Sequence, residues 1–140
     1  MIYTTKKYSY INGFSFENFV VDPNNELAYA AARSVSQSPA TRFNPLAICG
    51  GSGLGKTHLI KSIGNYLIHE KPSYKILNIT AEQFVTEFFY SIRTNSFRSF
   101  KKNHLNVDLL IMDDISFLEN KEETQKELLQ IFKTLYENKK

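Results

Sequence analysis

The stretch GGSGLG at residues 50–55 carries four glycines within six positions and constrains the fold more than any other part of the chain. An apolar run, LAIC at 46–49, precedes it, and a segment with helical periodicity follows from Lys56. Glycine adopts positive φ at little cost and allows the backbone to approach a ligand closely. A glycine-rich turn between a strand and a helix therefore predicts an anion site at the N-terminal end of that helix.

The residues after the glycines indicate which anion this turn suits. Residues 50–57 match the phosphate-loop pattern G-x-x-x-x-G-K-[ST]. Lys56 brings a full charge toward the β- and γ-phosphates, and Thr57 presents a hydroxyl group to Mg²⁺. The alternative is a glycine-rich turn without a ligand, and the position between a strand and a helix favours the phosphate loop. The residues predicted to contact a nucleotide here are Gly51, Ser52, Gly53, Leu54, Gly55, Lys56, Thr57 and His58.

A pair of carboxylates follows a second apolar run, LLIM at 109–112. A phosphate-loop protein needs a carboxylate at the end of a neighbouring strand to hold Mg²⁺, and Asp113 fits that role. Asp114 comes next and is predicted to point elsewhere, toward an attacking water, as a general base or water-orienting residue. Taken alone, the pair could also be a turn cap followed by a solvated carboxylate. The phosphate loop upstream favours catalytic roles for Asp114 and Lys56 and a metal-binding role for Asp113 and Thr57.

The periodicity of the whole chain predicts strands that alternate with helices. Strands are expected at 46–49, 74–80 and 107–114, and the residues before 14 read as a linker or lead-in segment. Helices are expected from Asp22, with a stripe of Leu27, Ala31 and Val35, and then over 56–70, from a capping box at Thr80, over about 96–104 and from about 121. This order favours an α/β fold with a mainly parallel sheet and helices on both faces.

Composition excludes some classes of protein. Cys49 is the only cysteine, so an intrachain disulfide is impossible, and a small buried thiol in a strand is the expected environment. No apolar run approaches the ~20 residues that span a bilayer, and the N-terminus lacks the apolar core of a signal peptide. The net charge of +3 permits contact with nucleic acid without requiring it. A cytoplasmic location fits these features.

Three longer stretches carry a family resemblance. They are FSFENFVVDPNNELAYAAA at 14–32, NPLAICGGSGLGKTHLIKSIGNYL at 44–67 and VDLLIMDDISFLENKEETQKELLQIFKTL at 107–135. Together they resemble the N-terminal box, Walker A and Walker B regions of the AAA+ domain in the DnaA family of bacterial chromosomal replication initiators. Helicase loaders of the DnaC or IstB type share GKTHL and the paired aspartates, but the FENFVV box favours the initiators.

The resemblance implies a P-loop NTPase (AAA+) fold, a three-layer sandwich with a parallel sheet in the order 5-1-4-3-2, incomplete at the C-terminal side. Residues 14–140 would form part of this domain, with an initiator-specific helical insertion at about 82–106. The family domain continues with a further strand, an arginine finger, a lid and a module that reads duplex DNA. We therefore expect this chain to be a fragment, inactive alone, of a weak ATPase.

The resemblance also implies ligands and further contact residues. ATP or ADP with Mg²⁺ would be the cofactors, and the N-terminal box would contact the adenine through Phe19, Val20, Val21 and Asn25. Phe16 is expected to be a core anchor instead.

Expected partners follow from the same resemblance. They are origin DNA, further copies of the protein in an ATP-dependent filament, and the replicative helicase or its loader. Val85 and Lys121 match positions that contact single-stranded DNA in the family, whereas Glu123 stands where several relatives carry arginine. A basic cluster of Arg93, Arg98, Lys101 and Lys102 is either a DNA contact or a solvated face. A regulatory nucleotide-binding module without DNA binding remains the alternative function.

Overall fold

The computed structural model describes residues 8–140, which separate into two units, residues 8–74 and residues 75–140. Part of the predicted lead-in segment, residues 1–7, lies outside the described residues. In the described part of the chain, no helix is long and apolar enough to cross a membrane.

Two packed helices build the unit of residues 8–74. Helix α1 spans Glu26–Gln37 and helix α2 spans Lys56–Glu70, which matches the predicted bounds of the second helix. Leu27 is 81% exposed, so the predicted apolar stripe of α1 begins only at Ala31. The buried apolar side chains of this unit are Tyr8, Phe16, Ala31, Ala32, Val35, Leu59, Ile63 and Leu67.

Helix α1 begins three residues later than the sequence predicts, because its N-cap is Asn25 and not Asp22. Asp22 does not cap it, because its Oδ1 accepts a hydrogen bond from the backbone N–H of Asn24 inside a turn. The side chain of Asn25 stabilises the same turn, accepting from the N–H of Asp22 (2.9 Å) and donating to the carbonyl of Val20 (3.1 Å). Such local side-chain bonds compete with helix formation, which explains the later start.

The predicted strand at 46–49 is wrong. No strand in residues 8–140 hydrogen-bonds to it, and a strand needs such a neighbour. The expected burial on both faces is also wrong, because Leu46 and Ile48 are half-buried while Ala47 and Cys49 are exposed. The segment is an extended chain with one covered side, and the Cys49 thiol is not a core group.

The unit of residues 75–140 contains a parallel pair of strands, β1 (Ile76–Thr80) and β2 (Leu109–Asp113). Leu77 lies beside Leu110 and Ile79 beside Met112, all four on the same face of the pair. This pairing confirms the predicted parallel sheet and the expected contact between these two strands. Both strands end at one edge, where Thr80 and Asp113 are partners.

Three helices and one 3₁₀ turn complete this unit. Helix α3 spans Ala81–Arg93, α4 spans Phe97–Leu105, the 3₁₀ turn spans Ile115–Leu118 and α5 spans Glu122–Glu137. The predicted capping box is confirmed, because Thr80 Oγ1 accepts from the N–H of Gln83 and the Gln83 side chain accepts from the N–H of Thr80. Helices α3 and α4 fill the predicted insertion at about 82–106. The buried core cluster consists of Leu77, Ile79, Ala81, Phe84, Val85, Phe88, Phe100, Val107, Leu118, Leu128, Ile131 and Leu135.

A buried histidine links α4 to this core. His104 is 1% exposed, and its Nδ1 donates to the carbonyl of Phe100 (2.8 Å), so Nε2 faces Glu87 Oε2 at 3.5 Å. Burial lowers the pKa of His104, and burial raises the pKa of Glu87. Both shifts favour the neutral forms, which suits an imidazole that lies against the ring of Phe84.

Candidate nucleotide-binding site

The glycine loop ends at a helix N-terminus that no side chain caps. Gly53 and Gly55 adopt positive φ, +76° and +88°, which only glycine accepts readily. Gly55 is the N-cap of α2, and residues 51–54 are exposed. A helix N-terminus without a side-chain cap, reached through a left-handed turn, directs backbone N–H groups toward solvent. That arrangement binds phosphate oxygens.

Lys56 lies across this loop. Its Nζ donates to the carbonyl oxygens of Gly50 (2.8 Å) and Gly51 (2.5 Å). An ammonium group has three N–H donors, so one remains for an anion at the loop. The structure therefore places the charge of Lys56 at the glycine loop. Thr57 follows in the first turn of α2 and is half-buried.

Phe19 packs directly against the last glycine of the loop. A Cβ atom built on Gly55 would come within 2.8 Å of Phe19 Cε2, so the ring occupies the space that a side chain would need. The ring also stacks on Tyr29, with centroids 5.8 Å apart and an interplanar angle of 16°. The structure thus brings Phe19, predicted as a base contact, to the end of the phosphate loop.

The imidazole of His58 contacts the N-terminal segment. Its Nε2 donates to the carbonyl of Ser15 (2.8 Å), and the ring meets Phe14 and Phe19 edge-on at centroid distances of 5.4 and 5.2 Å. If His58 contacts a nucleotide as predicted, we expect the contact to come from its backbone N–H group, which lies in the first turn of α2.

The other residues of the predicted adenine-contacting box differ in their surroundings. Val20 and Val21 are 81% and 45% exposed, so their side chains are open to a ligand. The side-chain amide of Asn25 hydrogen-bonds within the turn before α1, so the contacts described for this side chain are structural.

The two predicted aspartates lie in the unit of residues 75–140. Asp113 ends β2 and is half-buried, and its Oδ1 accepts from the backbone N–H of Asp114 (2.9 Å). Asp114 adopts a left-handed conformation, φ 55° and ψ 43°, and is exposed. The adjacent carboxylates therefore have different environments. Within residues 8–140, no group of three or more His, Cys, Asp or Glu side chains could hold a metal ion by itself.

The two predicted DNA contacts, Val85 and Lys121, also have different environments. Val85 belongs to the buried core cluster, so the structure does not support direct contact of its side chain with DNA. Lys121 is the N-cap residue of α5, and its Nζ lies 4.3 Å from the ring centroid of Phe117. The Glu123 side chain is exposed and pairs with Lys126 at 3.4 Å.

The basic cluster on α3 and α4 is partly paired. Lys101 Nζ lies 3.4 Å from Glu127 Oε1, whereas Arg93, Arg98 and Lys102 are exposed.

Sequence reasoning missed Asn65, which is buried on α2 and hydrogen-bonds the N-terminal segment. The available signal is weak, because it consists only of a polar residue among the apolar positions of a helix. The partners of Asn65 are backbone groups and the Tyr8 hydroxyl, more than fifty residues upstream, and no local pattern indicates them.

A family model described as the bacterial DnaA ATPase domain matches residues 11–140. The chain belongs to this family. DnaA of Borrelia turicatae (strain 91E135) is 48% identical over 127 residues, which cover 91% of this chain and 26% of that protein. DnaA of Synechococcus sp. (strain JA-2-3B'a(2-13)) is 44% identical over a similar span, 91% of this chain and 27% of that protein. The chain thus spans about a quarter of the length of the DnaA relatives it matches.

Solved DnaA structures share the fold. Domain III of DnaA from Thermotoga maritima matches with a TM-score of 0.91 at 40% identity, over 95% of this chain and 55% of that chain. A replication initiator DnaA bound to AMPPCP and single-stranded DNA matches with a TM-score of 0.86 at 34% identity, over 94% of this chain and 40% of that chain. AMPPCP-bound DnaA from Aquifex aeolicus matches with a TM-score of 0.83 at 35% identity, over 91% of this chain and 39% of that chain. These matches confirm the predicted α/β class, the partial AAA+ fold and the initiator family over the helicase loaders.

Proposed function

We propose that this DnaA-family domain binds ATP and ADP at residues 50–58 and serves as the nucleotide switch of a chromosomal replication initiator. The observation that carries the proposal is the phosphate loop, with Lys56 held across it and an uncapped helix N-terminus behind it. The two DnaA relatives bound to AMPPCP support a nucleoside triphosphate as the ligand.

The chemistry follows from the residues present. Backbone N–H groups of the loop and Lys56 neutralise the phosphates, Val20 and Val21 offer apolar surface to the base, and Thr57 and Asp113 would hold Mg²⁺. Hard cations such as Mg²⁺ prefer hydroxyl, carboxylate and phosphate oxygens, which suits the hydroxyl of Thr57 and the carboxylate of Asp113, each taken by itself. Asp114 then orients the attacking water for slow hydrolysis in the intact initiator.

Single-stranded origin DNA is the proposed macromolecular partner, supported by the DnaA relative bound to AMPPCP and single-stranded DNA. In the intact initiator, ATP would drive assembly into a filament on the origin. A further domain would read duplex DNA, and the replicative helicase or its loader would be recruited. A cytoplasmic location follows from these roles. Lys121 is the candidate DNA contact in this domain, because it matches the family position and is a cation at the N-cap of α5, with its Nζ over the ring of Phe117.

A salt titration of oligonucleotide binding tests the DNA role. With AMPPCP present, we expect the chain to bind single-stranded DNA with an affinity that falls as salt rises. The slope of log K against log salt should decrease by about 0.7 in Lys121→Ala, since one phosphate contact is lost. Lys126→Ala, on the same helix but paired with Glu123, should keep the original slope. Nucleotide binding with no oligonucleotide binding at any salt would favour the regulatory module instead.

The two aspartates should have separable roles. Asp113→Asn removes the charge that would attract Mg²⁺, so we expect the magnesium-dependent part of ATP binding to weaken about fivefold, or ~1 kcal/mol. Asp114→Asn should leave the ATP dissociation constant unchanged, because the residue is assigned to water and not to phosphate. Calorimetry with Mg²⁺ and again with EDTA measures both, and EDTA should abolish the difference between Asp113→Asn and the parent chain. Equal losses of affinity in the two variants would contradict the assignment.

A further inference from the structure

We propose that Asn65, which lies outside the phosphate loop, is a positioning residue for nucleotide binding. It fastens the segment of residues 8–19, here called the N-terminal strap, to α2, and the strap in turn holds Phe19 against Gly55. The inference rests on the proposed nucleotide site and adds a second determinant of its affinity.

Asn65 uses the full hydrogen-bonding capacity of its amide on the strap. Its Oδ1 accepts from the N–H of Ile11 (3.0 Å) and the hydroxyl of Tyr8 (3.1 Å). Its Nδ2 donates to the carbonyls of Ile11 (2.8 Å) and Phe14 (2.7 Å). The residue is 3% exposed, so water cannot replace a lost partner easily. A buried amide satisfied on all four sides specifies one path for the strap.

Further contacts continue this attachment toward the loop. The carbonyl of Ser15 accepts from His58 Nε2, in the first turn of α2. Asn18 closes the strap on itself, accepting from the N–H of Ser15 (3.1 Å) and donating to the carbonyl of Gly13 (3.1 Å). The single proton of the Tyr8 hydroxyl is shared between Asn65 Oδ1 and the carbonyl of Lys61 (3.3 Å), and burial raises the pKa of Tyr8 to about 12. The strap is therefore hydrogen-bonded to α2 both near its start, at Tyr8 and Ile11, and further along, at Phe14 and Ser15.

The strap ends at the phosphate loop through Phe19. The ring leaves no room for a Cβ atom on Gly55, the residue whose positive φ turns the loop into α2. A ring in contact with this backbone restricts the conformations that Gly55 can adopt. If the strap detaches from Asn65, Phe19 keeps its stacking on Tyr29 but loses the support of the strap, and Gly55 gains freedom. The N–H groups that follow Gly55 then lose the fixed directions that phosphate binding needs.

The alternative is that Asn65 only stabilises the fold. Replacing it would then lower the melting temperature and leave the affinity of the folded protein for ATP unchanged. The two roles are separated by measuring the ATP dissociation constant on folded protein, beside the melting temperature.

The experiment compares Asn65→Leu with Ser62→Ala in the full 140-residue chain. Ser62 is a matched control, because it is buried on α2 but bonds only within its own helix, to the carbonyl of His58. We expect Asn65→Leu to raise the ATP dissociation constant at least fivefold, and Ser62→Ala to change it less than twofold. A change below twofold in folded Asn65→Leu would overturn the proposal.

A double-mutant cycle with Phe19→Leu tests the route. If Asn65 acts through Phe19, Asn65→Leu should add less than a twofold change in the Phe19→Leu background. The same fivefold change in both backgrounds would contradict the route. Should Asn65→Leu fail to fold, Tyr8→Phe removes one hydrogen bond from Asn65 without a cavity. It should speed hydrogen exchange at the Ile11 N–H and weaken ATP binding, and faster exchange with unchanged affinity would overturn the proposal.

Failure of this inference differs from failure of the nucleotide site itself. Lys56→Ala reports on the site, because it removes the loop's own charge. Loss of ATP binding in Lys56→Ala with none in Asn65→Leu would refute only the role of Asn65. Unchanged binding in Lys56→Ala would refute the proposed site.

Discussion

Replacing Lys56 with alanine should lower the affinity for ATP at least tenfold, which is ~1.4 kcal/mol of binding free energy. Lys56 is the only cationic side chain within the loop pattern at 50–57, and its Nζ lies within hydrogen-bonding distance of Gly50 and Gly51. Hydrogen bonds in which the donor is ionised are roughly twice as strong as neutral ones. Isothermal calorimetry with ATP, on protein whose circular dichroism matches the parent, measures the effect.

Lys71→Ala is the matched control for this prediction. Lys71 is the C-cap residue of the same helix, and its Nζ lies over the ring of Tyr74. The Lys71→Ala substitution therefore removes one positive charge, as Lys56→Ala does, but at the opposite end of α2. Its ATP affinity should stay within twofold of the parent. Equal affinities for Lys56→Ala and the parent chain would show that phosphate binds elsewhere or not at all.

Truncating Phe84 to alanine should lower the free energy of unfolding by about 3–5 kcal/mol. Phe84 is fully buried, and its ring meets Phe100 at 5.4 Å and His104 at 5.2 Å between centroids. Removing the ring leaves a cavity between α3 and α4 and takes away the support of the buried imidazole. Urea denaturation followed by circular dichroism measures the loss.

Phe89→Ala provides the comparison on the same helix. Phe89 is 48% exposed and lies outside the core cluster, so the same truncation should cost about 1 kcal/mol or less. Similar losses for Phe84→Ala and Phe89→Ala would mean that the core cluster is not the main source of stability in residues 75–140.

Elements with local signals were predicted from the sequence with correct positions. The capping box at Thr80, the bounds of α2 and the parallel pairing of β1 with β2 are confirmed. Each depends on residues close in sequence or on the alternation of strands and helices. The start of α1 and the segment at 46–49 were wrong, because local turn bonds of Asn25 decide the first and a hydrogen-bonding neighbour decides the second.

The sequence indicated the residues of the candidate loop, but it did not indicate the distant residues that hold the loop in place. The pattern at 50–57 indicates the loop because each residue type has a chemical reason to be there. The contact of Phe19 with Gly55 and the bonds from Asn65 depend on how distant segments meet. Periodicity places Val85 on the apolar stripe of α3, and its burial in the core is the structural consequence.

The two carbonyl bonds of Lys56 also bear on how an anion would be received. A lysine side chain loses up to about 2 kcal/mol of rotamer entropy when it is ordered, a loss that usually falls on the binding step. Here the carbonyls of Gly50 and Gly51 order the side chain within the protein itself. At the proposed site an incoming phosphate would therefore meet a preorganised cation, and more of the electrostatic attraction would remain as net affinity.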